Sequence, residues 1–188
     1  MPDKDAFRSR IRPLPPLPPD LRGTKSARLC DAIVNAGAWR NARTVIIFAP
    51  QSREPDVEML WAHAAGRTIG YPRVEDNRLG LYAVASPFDL QSGQWGLREP
   101  AADPTRAVAP NAIDLILVPG IAFTRAGARL GRGGGYYDRL LSGLPPGACK
   151  IGVCFDVQIL PELPTESHDQ HVDFVATESG ILSATSAP

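Results

Sequence analysis

Apolar and polar positions along this chain alternate between short β-branched runs and longer stretches of helical spacing. Residues 4–12 hold Phe7 and Ile11 four apart, with Lys4 and Arg8 one turn from each other on an adjoining face, and so predict a short helix. Five of the seven residues from Pro13 to Pro19 are proline, which fixes φ and removes donors, so an extended polyproline-like connector is predicted there. Leu29, Ile33 and Val34 among alanines predict a helix over 21–38, closing near Gly37. Residues 45–49 predict the first strand, ended by Pro50 and followed by a polar turn over 51–56. Asp56 can cap a helix running through Val57, Leu60, Trp61 and Ala64. Further strands are predicted over 67–71, over 79–84 at a sheet edge, and over 113–119, 150–155 and 174–177. A helix is predicted from 137 to 141, closing near Gly143, while 88–110 reads as irregular around a more ordered piece at 95–100. Alternation of strand and helix implies an α/β protein with a parallel core.

Composition narrows the partner. The 188 residues suit one domain, with no internal repeat and no second composition regime. Twenty basic and twenty acidic residues cancel, so the chain offers no general attraction to polyanions, and a small molecule is the expected partner rather than nucleic acid. Cys30, Cys149 and Cys154 form no CxxC pair and leave an odd count, which suits a reducing compartment. The absence of a membrane-length apolar run, together with a polar start at residues 1–5, points to a cytoplasmic protein.

The densest chemistry lies in Gly131-Arg132-Gly133-Gly134-Gly135-Tyr136-Tyr137-Asp138, directly after the buried strand at 113–119. Glycines at this density allow positive φ and let successive amides converge on one anion. Arg129, Arg132 and Arg139 add cationic donors. The segment matches neither the dinucleotide fingerprint, since Tyr136 stands where glycine is needed, nor the P-loop, which would close on Lys-Ser/Thr. As a bare pattern it leaves a phosphate site, a tight turn and an RNA-contacting Arg-Gly-Gly element open, the last opposed by overall neutrality.

Acidic and aromatic residues extend the picture. Asp138 at the mouth of an anion site suits Mg²⁺ arriving with phosphates, against the plainer roles of helix cap or arginine partner. Glu166 to Asp173 forms a polar turn in which His168, His171, Asp169 and Asp173 offer a weak transition-metal pattern, Asp173 being preferred as a hard-cation ligand. Glu54 and Asp56 follow the first strand; Asp56 has capping to do, whereas Glu54 has no evident local duty and could accept the N–H groups of a heterocycle. Trp95, Phe123, Tyr136 and Tyr137 are suited to stack on a flat ring, though each alone could be packing.

Taken together, Val118-Pro119-Gly120-Ile121-Ala122-Phe123, Arg129 to Asp138 and Val172-Asp173 resemble the 5-formyltetrahydrofolate cyclo-ligase family. Lys4-x-x-Phe7-Arg8, Glu54-x-Asp56, Tyr71 to Val74, Gly96 to Pro100, Phe155-Asp156-x-Gln158 and Glu166-x-His168-Asp169 extend the resemblance over nearly the whole chain. It implies a three-layer α/β/α fold with a mostly parallel open sheet, Rossmann-like, of the NagB/RpiA/CoA-transferase-like type. It also implies ATP- and Mg²⁺-dependent cyclisation of 5-formyltetrahydrofolate to 5,10-methenyltetrahydrofolate through an N5-iminophosphate, by a monomer. On this resemblance Lys4, Arg8, Arg129, Leu130, Gly131, Arg132, Gly133, Gly134, Gly135, Tyr136 and Tyr137 contact ATP. Glu54, Phe123, Arg132 and Tyr136 meet the folate, Arg132 and Tyr136 act in catalysis, and Asp138 and Asp173 hold Mg²⁺. The chain departs from the family pattern at Thr124, where many relatives have aspartate, at His171, where proline is frequent, and in the prolines of 13–19. A relative turned to another pterin-like or thiamine-like substrate, and a folate or nucleotide binder without turnover, are the alternative functions.

Overall fold

A computed structural model of the chain describes residues 3–11 and 16–184. Helix α1 (Lys4–Ile11) matches its expectation, while residues 12–15, and with them the first part of the proline connector, lie outside the described residues. Pro19 belongs to the next helix instead of the connector: α2 (Pro19–Asn35) starts on it, and proline in the first helical turn loses no hydrogen bond. The expected run to Ala38 breaks at Ala36, which is extended at φ −75° and ψ 146°, and a short α3 (Gly37–Asn41) follows. This break lets Trp39 turn inward to 1% exposure, with the Arg67 guanidinium 5.0 Å above its ring.

Strand β1 (Thr44–Ile46) leads to a 3₁₀ helix over Val57–His63, whose cap is Asp56 accepting the Glu58 amide at 3.2 Å. β2 (Thr68–Glu75) and β3 (Arg78–Val84) form a hairpin longer than the predicted strand at 67–71, turning through Asp76 at φ 50°. The region 88–110 contains the small pair β4 (Gln91–Ser92) and β5 (Arg98–Glu99). Next come β6 (Leu115–Pro119), β7 (Ala122–Thr124), β8 (Arg129–Leu130), α4 (Tyr136–Ser142) and β9 (Cys149–Val153). β10 (Ile159–Leu160), β11 (Phe174–Thr177) and β12 (Gly180–Ser183) complete the chain.

The main sheet runs β12-β11-β9-β6-β1-β2-β3. β2, β1, β6, β9 and β11 are mutually parallel, and antiparallel β3 and β12 close the edges. Numbered by chain order, the parallel strands follow 2-1-3-4-5, so the topological switch falls between β1 and β6, where such sheets place their ligands. Alternation along the strands sorts two cores. Val45, Ile47, Leu115, Leu117 and Ile151 pack with Leu29, Ile33 and Trp39 of α2 and α3 on one face. Ile46, Ile116, Val118 and Val175 pack with Leu141 of α4 on the other. Both faces are therefore covered, as a parallel sheet requires.

Candidate functional site

A cleft of about 1100 Å³ opens at the switch point, beyond the carboxyl ends of β1 and β6. Phe48, Ala49, Gln51 and Glu54 come from the β1 side, Pro119 and Gly120 from β6, and Gly131 to Asp138 from the loop entering α4. Helix α1 brings Lys4 and Arg8, and the β2–β3 hairpin (Pro72, Val74, Asn77, Leu79) joins the segments around Trp95 to Glu99 and Glu166 to Asp169 in lining the cleft.

The glycine loop owes its path to left-handed backbone at Gly133 (φ 107°) and Gly135 (φ 65°), conformations a side chain would oppose. Among the described residues, the amides of Gly133, Gly134 and Gly135 donate to no protein acceptor, which leaves them available to anionic oxygens. Arg129 lies beneath, only 7% exposed, with Nη2 donating to Asp138 Oδ1 at 2.8 Å and its guanidinium 5.7 Å from the Tyr137 ring centroid. Among the described residues its Nε has no hydrogen-bond partner. Burial raises the Tyr137 phenol above its ordinary value and the Glu54 charge adds to the rise, so this tyrosine stays protonated. Tyr136 donates to the Asp76 carbonyl at 3.2 Å and meets Trp95 edge-on, ring centroids 5.8 Å apart. Trp95 itself is 68% exposed at the mouth of the cleft, on a left-handed backbone at φ 55°.

Each cation on the cleft is set against a carboxylate or carbonyl. Lys4 Nζ bonds Asp169 Oδ1 at 2.7 Å and Glu166 Oε2 at 2.9 Å. Burial lowers the Lys4 pKa, but the bonds to Asp169 and Glu166 outweigh it and hold the ammonium above its ordinary range. For Asp169 burial raises the pKa, and the hydrogen bonds from Lys4 and the Glu166 amide overcome this, leaving it below the usual carboxylate range. Arg8 Nε donates to the Gly131 carbonyl at 2.9 Å and Nη1 pairs with Asp5 at 2.6 Å. Across the cleft, Arg132 Nη2 reaches Glu54 Oε1 at 2.9 Å. Glu54 is also part of its own turn, since Oε2 accepts the Gln51 amide at 2.9 Å, which corrects the expectation that it lacks a local duty.

The structure therefore gathers Lys4, Arg8, Glu54, Arg129, Leu130, Gly131 to Gly135, Tyr136, Tyr137 and Asp138 around one cleft. Two expected residues fall outside it. Phe123 is fully buried, its ring lying where a Cβ on Gly120 would come within 2.7 Å and where one on Gly152 would also overlap it, so it packs the core and cannot stack on a ligand. Asp173 precedes β11 at the amino-terminal edge of the sheet, where Oδ2 accepts the Lys150 amide at 2.7 Å, and it cannot share a cation with Asp138 at the opposite edge.

Asp138 itself suits a hard cation. Its Oδ1 takes Arg129 and the Gln170 amide, and Oδ2 accepts no protein hydrogen bond among the described residues. Glu166 and Asp169, which the sequence signals only through a Glu-x-His-Asp pattern, also line this cleft, as do Asp3, Asp5 and Glu99. Glu166, His168 and Asp169 bring ligand atoms within 4.8 Å of one another, but His171 and Asp173 do not join them and the Lys4 ammonium bonds two of the three. Thr124, 5% exposed, caps its turn by accepting the Ala128 amide at 3.1 Å, so the hydroxyl supports β7 and β8. Cys30, Cys149 and Cys154 do not line the cleft, and burial raises all three thiols, Cys30 to about 12 and Cys149 to about 11.

Fold and cleft together define a doubly wound α/β protein with a cationic, glycine-lined site at its switch point. The profile of the 5-formyltetrahydrofolate cyclo-ligase family matches residues 7–178. A 5-formyltetrahydrofolate cyclo-ligase of Mycolicibacterium smegmatis is 34% identical over 155 residues, covering 78% of this chain and 80% of that one. The solved 5,10-methenyltetrahydrofolate synthetase of Aquifex aeolicus superposes with a TM-score of 0.84 at 29% identity, over 98% of this chain and 94% of that one. A 5,10-methenyltetrahydrofolate synthetase from Mycoplasma pneumoniae shares the fold, with a TM-score of 0.73 at 21% identity over 94% of this chain and 99% of that one. The chain belongs to the 5-formyltetrahydrofolate cyclo-ligase family, and is a ligase of folate metabolism.

Proposed function

We propose that the chain cyclises 5-formyltetrahydrofolate to 5,10-methenyltetrahydrofolate, consuming ATP in the presence of Mg²⁺ and releasing ADP and phosphate. The observation that carries this reading is the 2.9 Å contact between Arg132 and Glu54, which brings the phosphate-receiving loop and the acidic wall of the cleft to one point. A formamide oxygen is a poor leaving group. Its attack on the γ-phosphorus forms an O–P bond as the bond to the ADP oxygen breaks, giving an N5-iminophosphate. N10 then attacks the electrophilic carbon, phosphate departs with the C–O electrons, and the N10 proton is lost.

Transfer of this kind depends on positioning and on stabilising charge in place. The loop amides and Arg129 receive the phosphate oxygens, Lys4 and Arg8 close the nucleotide side, and Arg132 follows the phosphoryl group between its two owners. Glu54 accepts the pterin N–H groups, and Tyr136 lines the wall where the two substrates meet. Asp138 is the carboxylate suited to hold Mg²⁺, which supplies charge neutralisation on the phosphates when bound. Asp169 and Glu166 are further carboxylates on the same cleft. The partners are thus two small molecules, and no helix among the described residues is long and apolar enough to cross a membrane. Incubating the protein with 5-formyltetrahydrofolate and Mg-ATP tests the proposal: methenyl absorbance and ADP should rise together, and a folded protein that yields neither would refute it.

A further inference from the structure

Behind the acidic wall of the cleft, α2 presents Arg22, Ser26 and Cys30, spaced four residues apart and therefore on one face. All three bond the backbone of the turn that carries Glu54. Arg22 Nε donates to the Glu54 carbonyl at 2.8 Å and Nη2 to the Gln51 carbonyl at 3.4 Å. One turn further along, Ser26 Oγ accepts the Asp56 amide at 2.8 Å, and one turn beyond that Cys30 Sγ donates to the Asp56 carbonyl at 3.5 Å. Ser26 is fully buried on the core side of the helix, a position that costs free energy for a hydroxyl unless it is bonded, and its bond goes to this turn.

The turn is closed on itself as well. The Glu54 amide donates to the Gln51 carbonyl at 2.9 Å, and the Gln51 amide donates to the Glu54 carboxylate at 2.9 Å. Arg22 is not part of the cleft wall, so it touches neither substrate position. It holds the two carbonyls that bracket the turn, and a shift of either moves the Glu54 carboxylate relative to Arg132 and the glycine loop.

We propose that Arg22 is a positioning residue for the folate substrate, acting through Glu54, with Ser26 fixing the same turn one helical step further on. The proposal rests on the reading of Glu54 as the pterin acceptor. A carboxylate displaced by even an ångström loses much of its value to a bound ring, so the effect should fall on the folate and spare the nucleotide.

The test is a double-mutant cycle, with kcat/KM for 5-formyltetrahydrofolate and for ATP measured separately. Arg22→Gln should lower the folate value about tenfold and leave the ATP value within about twofold. Arg22→Lys, which keeps the charge but offers a single donor nitrogen, should recover part of the loss. In a Glu54→Gln background the Arg22→Gln change should cost less than about twofold, because the group through which it acts is already altered. Ser26→Ala carries the same comparison if Arg22→Gln does not fold. Equal losses for both substrates, or effects that add across the cycle, would overturn the inference while the wild-type enzyme remains active. A folded wild-type chain without turnover would overturn the functional reading and this inference with it.

Discussion

Glu54→Gln separates the two duties of this side chain. In the fold, Oε1 meets Arg132 and Oε2 meets the Gln51 amide, each at 2.9 Å. The Arg132 side chain is 56% exposed, so solvent screening limits the ion pair to about 0–1 kcal/mol. The bond to the Gln51 amide contributes about 1 kcal/mol, part of which a glutamine oxygen retains. A loss of at most about 2 kcal/mol corresponds to a melting temperature lower by at most roughly 4–8 °C in a domain of this size. Binding of the pterin depends on the charge itself. Two charge-assisted hydrogen bonds of about 1.5–3 kcal/mol each amount to about 3–6 kcal/mol, or roughly a 10²- to 10⁴-fold loss in kcat/KM for the folate. Steady-state kinetics with the other substrate saturating, alongside a thermal melt, read both quantities. The KM for ATP should move less than about threefold. A variant that keeps its folate kcat/KM within threefold, or loses ATP affinity to the same extent, refutes the assignment of Glu54 to the folate.

Four further outcomes follow from the geometry. Asp138→Asn leaves the buried Arg129 guanidinium without its charged acceptor at 2.8 Å, so it should lose about 1.5–3 kcal/mol of stability and reduce turnover more than folate binding. Asp173→Asn, at the far edge of the sheet, should leave the Mg²⁺ dependence of the rate unchanged; a shifted Mg²⁺ titration in that variant would contradict its placement. Gly152→Ala would drive a methyl into the Phe123 ring and should cost about 1–3 kcal/mol, read as a lower melting temperature that Phe123→Leu partly restores. The tether from α1 to the 166–169 wall should depend on pH. Asp169 has a depressed pKa, so its contribution is present above the unfolded value of about 3.9 and is lost as pH falls through the lower folded value. Lys4 has a raised pKa, so its contribution is complete below about 10.4 and is lost as pH rises through the higher folded value. The protection factors of the α1 amides, taken relative to the unfolded exchange rate at each pH, should therefore stay high between these limits and fall outside them, and protection that does not change with pH would contradict the tether.

What the sequence reveals depends on how local the cause is. The run at 115–118 must be buried on both faces, so its place at the centre of a parallel sheet is legible, and the glycine loop announces itself by composition. The break at Ala36 is not legible, because it is imposed by the burial of Trp39 against Arg67 across the fold. β8 and β10, two residues each, carry no periodicity to detect. Phe123 shows the same limit at the site. An aromatic residue beside Gly120 and upstream of a glycine loop has the sequence signature of a stacking residue. Only the approach of β9 shows that Gly120 and Gly152 make room for its ring inside the core.

The acidic turn is the most instructive case. Asp169 and Asp173 are chemically equal candidates four residues apart, and spacing favours neither. Their separation arises because the chain must travel from the carboxyl edge of the sheet back to the amino edge before β11 can run parallel to β9. That passage leaves Asp169 on the cleft against Lys4, a partner 165 residues away in sequence, and delivers Asp173 to the Lys150 amide at the other end of the strands. Strand polarity, which alternation along the chain predicts, therefore selects which carboxylate faces the ligand, provided it is traced to the end of each loop.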